Sequence, residues 1–98
     1  MPARASALFV VRLELNYAVT SANDVPGRDP TAWQFQGSSD GSTWTTLDSK
    51  SSQSFTNRYQ TNFYSLTNDT AYNYYRLNIT ANGGGTELQL SEFQLFGQ

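Results

Sequence analysis

From Val11 to Val19 the chain alternates: Val11, Leu13, Leu15, Tyr17 and Val19 share one side, and Arg12, Glu14, Asn16 and Ala18 the other. A period of two with one apolar face predicts a half-buried antiparallel strand. The stretch Ser21-Ala-Asn-Asp-Val-Pro-Gly-Arg-Asp-Pro30 breaks the pattern with Pro, Gly and Asp, so it is a loop. Trp33 and Phe35 then point one way and Gln34 and Gln36 the other. Ser38-Ser-Asp-Gly41 carries an Asp-Gly turn signal, and Thr43 to Leu47 returns, with Trp44 and Leu47 as apolar anchors. Gly41 is free to take φ > 0 and Asp40 to bond nearby backbone, so the segment predicts a β-hairpin.

Further along, Asp48 to Ser54 is polar and predicts a loop, Tyr59 to Leu66 a strand, and Asn68-Asp69 a turn. Tyr74 to Ala81 alternates again, with Tyr75, Leu77, Ile79 and Ala81 inward. Asn82-Gly-Gly-Gly85 ends that strand. In the last element, Leu88 to Phe96, the apolar parity flips between Leu90 and Phe93, which predicts a bulge or bend at Ser91-Glu92. Short strands separated by turn residues, with no helix longer than a turn, predict an all-β sandwich or jelly roll. Trp33, Phe35, Trp44, Tyr75, Phe93 and Phe96 are the expected core aromatics.

The 98 residues suit one domain, 1–98. Charged residues are only 14% and the net charge is −2, so no basic face is available to neutralise nucleic-acid phosphates or grip an anionic membrane. No run approaches the roughly 20 apolar residues of a membrane span. Ala5 to Val11 after Arg4 reads as the start of a strand and not as a signal peptide. Cys and His are both absent, which removes thiol nucleophiles, imidazole acid–base pairs, the usual zinc sites and disulfides. An oxygen-ligand calcium site stays open.

The run from Ser21 to Pro30, then Trp33, then Gly37-Ser-Ser-Asp-Gly41 and Trp44 resembles the middle of a discoidin (coagulation factor 5/8 type C) domain. The likeness is greatest to the bacterial carbohydrate-binding branch, carbohydrate-binding module family 32. Tyr74-Tyr-Arg-Leu-Asn-Ile-Thr80 and Leu90-Ser-Glu-Phe-Gln-Leu-Phe-Gly97 resemble that family's last two core strands, so the resemblance covers 17–97. It implies a galactose-binding-domain-like β-sandwich, secreted, with a glycan or polysaccharide as partner. The residues before Tyr17 do not resemble the family's opening strands, so the domain reads as shortened at its N-terminus. A sandwich missing strands exposes an apolar face and open edges, and the expectation is a homo-oligomer that completes the sheet.

The resemblance also implies where a sugar would sit, at the loops Asn23 to Asp29 and Asn82 to Glu87, brought together at one end of the sandwich. Arg28 offers a fork of donors, and Asn23, Asp24 and Asp29 offer acceptors. The structural alternative is that Asp24, Arg28 and Asp29 pair with one another to pin the loop. Asn82 and Glu87 belong to the second loop, whose glycines let backbone approach something closely. Tyr74 is the candidate stacking platform, since it sits off the inward face. Glu92 matches a family calcium ligand; the alternative is a solvent-facing carboxylate at a bulge, and no cofactor is required. Asn68-Asp-Thr70 and Asn78-Ile-Thr80 are glycosylation sequons.

Enzymatic function would need paired carboxylates, and Asp24 with Asp29 or Glu87 with Glu92 are the only close pairs. So small a domain is a poor host for a water-excluding cleft. The sequence therefore predicts a non-catalytic, lectin-like carbohydrate-binding module, without membrane insertion. The alternative is a structural module that self-associates and binds no sugar.

Overall fold

The computed structural model describes residues 13–68 and 70–96. They form an all-β sandwich of two three-stranded sheets. The strands are β1 (Leu13–Thr20), β2 (Pro30–Ser38), β3 (Thr45–Lys50), β4 (Thr61–Asn68), β5 (Tyr74–Asn82) and β6 (Glu92–Phe96), with one 3₁₀ turn, Pro26–Arg28, between β1 and β2. One sheet has the order β4-β1-β6 and the other β3-β2-β5, and every pairing is antiparallel. The Val11 and Arg12 portion of the expected first strand lies outside the described residues.

The hairpin between β2 and β3 closes as its residues dictate. Asp40 Oδ1 accepts the N–H groups of Ser42 (2.8 Å) and Thr43 (2.9 Å), and Ser38 Oγ accepts that of Gly41 (2.8 Å). Those backbone donors hold the Asp40 carboxyl below its usual range. Gly41 has φ 78°, a backbone that glycine adopts freely.

The inward rows follow the alternation except at Ala81, which is exposed because the register of β5 against β2 shifts between Ala32 and Trp33. Leu15, Tyr17 and Val19 of β1, Trp33 and Phe35 of β2, and Phe55 form the buried core, with Leu47, Tyr64, Leu66, Tyr75, Leu77, Ile79, Leu90 and Phe93 packed around it. Its centre is aromatic. Tyr17 stacks on Phe35 (centroids 4.7 Å apart, 14° between planes) and on Tyr64 (5.0 Å, 21°), and Phe35 stacks on Tyr75 (5.7 Å, 4°). Such pairs add about 0.5–1.5 kcal/mol each beyond their buried area. A short chain poor in aliphatic residues thus fills the gap between its sheets with rings.

Three further expectations change. The segment Asp48 to Ser54 is not wholly loop: β3 continues to Lys50, and its register against β2 shifts between Phe35 and Gln36. The irregularity sets Asp48 opposite Phe35, where the Tyr17 hydroxyl supplies a hydrogen bond, so a carboxylate is tolerated inside a strand. Trp44 is not a core residue; its ring lies under the Arg76 guanidinium, 4.2 Å from carbon Cζ to centroid. Phe96 is 42% exposed, because the bend at Ser91 fixes Phe93 inward and places Phe96 on the opposite parity. That bend is docked by Ser91, whose N–H donates to the Thr20 carbonyl (2.9 Å) and whose hydroxyl donates to the Ser21 carbonyl (2.9 Å).

Candidate functional site

The two loops singled out in the sequence meet at one end of the sandwich. The Gly83 N–H donates to the Asp29 carbonyl (3.0 Å), the Gly85 N–H to Gly27 (2.8 Å), and the Gln89 N–H to Arg28 (2.9 Å). The contact needs glycine. A Cβ on Gly83 would lie 2.9 Å from the Pro26 carbonyl oxygen, and one on Gly85 2.8 Å from that of Gly27. What the glycines approach is therefore the first loop.

Inside this arrangement several candidates are committed to the protein itself. Asp29 is 5% exposed and meets Arg58 through two parallel hydrogen bonds, Nη1 to Oδ1 at 2.9 Å and Nη2 to Oδ2 at 2.7 Å. Arg58 also donates to the carbonyls of Phe55 (3.3 Å) and Ala22 (3.5 Å), and the adjoining Asp29 carboxylate raises its pKa further. The loop is pinned as the structural alternative supposed, but by Arg58 and not by Arg28. Asn82 is a staple for its own loop. Its amide nitrogen donates to the carbonyls of Gly85 (2.9 Å) and Glu87 (2.7 Å), and its oxygen accepts the Gly84 N–H (3.1 Å). With both amide hydrogens spent, Asn82 is no free donor to a ligand.

The remaining loop residues face solvent. Asn23 and Asp24 are exposed, and Asp24 Oδ1 accepts the Val25 N–H at 2.8 Å. Arg28 Nη1 reaches Gln89 Oε1 at 3.5 Å, and its stem lies beside Gly85. A shallow cleft of about 310 Å³ is lined by Ile79, Thr80, Ala81, Asn82, Thr86, Glu87 and Leu88. Its lining residues include two threonines and one acid, Glu87, together with Ile79, Ala81 and Leu88. Asn23, Asp24, Arg28 and Asp29 are not among the lining residues.

Tyr74 is 51% exposed but sits at the opposite end of β5 from Asn82, about 25 Å away along an extended strand. It covers the Gly41 turn, where a Cβ would come within 3.5 Å of its ring. Glu92 opens β6 opposite Thr20 and is exposed. Among the described residues, no group of three or more Asp or Glu side chains that could hold a metal ion gathers around it. Of the sequon asparagines, Asn68 is buried and donates to the Thr70 carbonyl, and Asn78 donates to Gln34 Oε1 at 3.1 Å.

Two functional groupings escaped the sequence reading. Arg58 as partner of Asp29 left no local signal, because 29 residues separate them. The Trp44–Arg76–Gln36 cluster on the outer face of β3-β2-β5 was partly foreshadowed, since the alternation places Gln36 and Arg76 outward. The register also sets them directly opposite each other.

The fold and the cleft define a small β-sandwich with a loop-walled, half-apolar surface site. No family model matches the sequence. Over 49 residues it is 51% identical to the peptide-N(4)-(N-acetyl-beta-glucosaminyl)asparagine amidase of Arabidopsis thaliana. The matched stretch is 49% of this chain and only 7% of the amidase, so half of the chain is homologous to a small part of a glycan-related protein.

Proposed function

We propose that this chain is a non-catalytic, discoidin-like carbohydrate-binding module that holds a glycan in the cleft between the end of β5 and the loop Gly83 to Leu88. The observation that carries the reading is the composition of the cleft. Thr86 and Glu87 bring exposed hydrogen-bonding side chains to the lining and Leu88 an exposed apolar one, a mixture that suits the hydroxyls and the apolar face of a sugar ring. The loop that carries Thr86 and Glu87 is tied by Asn82 and by the first loop, so little ordering entropy is lost on binding. The partial relative supports a glycan, since that amidase is named for an N-acetyl-glucosaminyl asparagine. Glu87 is the only acid among the lining residues, whereas glycoside hydrolysis by the usual routes needs two carboxylates. A shallow open cleft corresponds to weak binding, with Kd on the order of 0.1–1 mM. A glycan array followed by calorimetry tests it: Glu87→Gln and Thr86→Ala should each weaken a hit, and silence across neutral hexose and N-acetylhexosamine glycans would refute it.

Self-association is a second reading, and one observation favours it. Phe63 (71% exposed) and Phe96 (42%) flank Ala18 and Asn16 on the outer face of β4-β1-β6. A second copy covering that face would remove both rings from water. Light scattering that finds a monomer at micromolar concentration counts against it.

A further inference from the structure

The outer face of the other sheet carries a second arrangement, centred on Arg76, three residues or about 10 Å along β5 from Ile79, where the cleft begins. Arg76 is held there at two points. Its guanidinium stacks on the Trp44 ring, 4.2 Å from Cζ to centroid, and its Nε donates to Gln36 Oε1 at 2.7 Å. Gln36 is itself only 7% exposed, although it points outward, and its amide nitrogen donates to Thr46 Oγ1 (3.0 Å) and to Gln34 Oε1 (3.4 Å). Asn78 donates to the same Gln34 oxygen at 3.1 Å. The ladder Thr46–Gln36–Gln34–Asn78 fixes the acceptor that orients Arg76.

Held this way, the two terminal nitrogens of Arg76 have no carboxylate partner among the described residues, where the ion pairs are Lys50–Asp48 and Arg58–Asp29. A guanidinium fixed by a ring and by its Nε already presents the planar fork that a carboxylate accepts with two parallel hydrogen bonds. The cost of ordering the side chain is met within the fold. We infer that the Trp44–Arg76–Gln36 cluster is a binding site for the carboxylate of an acidic sugar, such as a uronic acid unit of a polysaccharide.

The neighbours favour a sugar over other anions. Among the described residues the Gln34 amide nitrogen and the Asn78 amide oxygen have no hydrogen-bond partner, and they stand at the spacing of adjacent strands, suited to ring hydroxyls. Tyr74, two residues before Arg76 and on the same outward parity, adds an exposed ring. No other basic side chain of β2, β3 or β5 shares this face: Lys50 is engaged with Asp48 and lies over the Tyr64 ring. A single positive charge suits one carboxylate per contact and gives a polyanion such as nucleic acid little to hold.

The test is calorimetry and amide NMR on the full chain with oligogalacturonate, a neutral galactose oligomer and an acidic hexapeptide of glutamate. Oligogalacturonate should bind and should shift the side-chain amides of Gln34 and Gln36 and the Trp44 indole N–H. Arg76→Gln should weaken it by about tenfold or more, the worth of a charge-assisted hydrogen bond. Arg76→Lys keeps the charge but not the fork and should recover only part of the affinity. Absence of uronate binding, or binding untouched by Arg76→Gln in a folded variant, overturns the site. Equal affinity for the glutamate peptide overturns its assignment to a sugar. The cleft can fail its own test without affecting any of these outcomes.

Discussion

The hydroxyl of Tyr17 in one sheet donates to Asp48 Oδ2 in the other at 2.7 Å, while it accepts the indole N–H of Trp33 at 3.0 Å. Tyr17 is fully buried, so the chain Trp33–Tyr17–Asp48 is a polar tie across an aromatic core. Tyr17→Phe keeps the ring and strands both partners. The expected cost is about 1–3 kcal/mol, the penalty of leaving buried polar groups unmade. Urea denaturation should show a lower midpoint with an unchanged slope.

The same burial sets a response to alkali. Removal from water raises the Tyr17 pKa well above its ordinary value, and the nearby Asp48 charge adds to the shift. Tyr64 is raised as well, first by desolvation. A raised folded-state pKa means that the contribution is fully present below the unfolded value of about 10 and is lost as pH climbs above it. Stability should therefore fall above pH ~10, by up to about 1.4 kcal/mol per pH unit for Tyr17. Chemical denaturation across alkaline pH checks this, and Tyr17→Phe should flatten the decline. A wild-type curve no steeper than that of the variant would remove Tyr17 as its cause.

Strand faces were legible because alternation needs no partner: Leu15, Tyr17 and Val19, or Tyr75, Leu77 and Ile79, declare their side by spacing alone. The hairpin was legible from Asp40 and Gly41, whose chemistry is local. Contacts at long range were not. Asp48 looked like loop because its partner Tyr17 lies 31 residues away, and Asp29 looked available to a ligand because Arg58 could not be seen. Trp44 was assigned to the core as an apolar anchor of the hairpin, but its ring stacks with Arg76 on the outer face. The meeting of the two loops followed from the family resemblance, whereas the commitment of Asn82 to its own loop depends on how that loop closes.

Asp29 and Arg58 provide a third check, which separates a structural from a ligand-binding role. Arg58→Ala leaves a nearly buried carboxylate without its guanidinium and should lower Tm clearly, with or without sugar present. Arg58→Lys should rescue only part of the loss, because an ammonium cannot span both oxygens. Were Asp29→Asn to leave Tm unchanged while abolishing glycan binding, Asp29 would return to the ligand site and the pairing would be incidental.

The cleft depends on two backbones lying against each other, and that gives the last prediction. In Gly85→Ala the new methyl would sit 2.8 Å from the Gly27 carbonyl oxygen, a backbone atom that cannot swing aside. The second loop must lift, and the hydrogen bond from the Gly85 N–H to Gly27 must lengthen or break. Thr86 and Glu87 follow next in the chain, so their positions in the cleft shift with it. Glycan affinity should fall by tenfold or more, on the order of the change that about 1.4 kcal/mol brings. The core lies elsewhere and should be little affected, so Tm should drop by only a few degrees. Oligogalacturonate binding at the Arg76 face, on the far part of β5, should persist in this variant. Calorimetry with both ligands on the one protein reads the two outcomes together. Unaltered glycan affinity in a folded Gly85→Ala chain would show that the packing of the loops does not position the site.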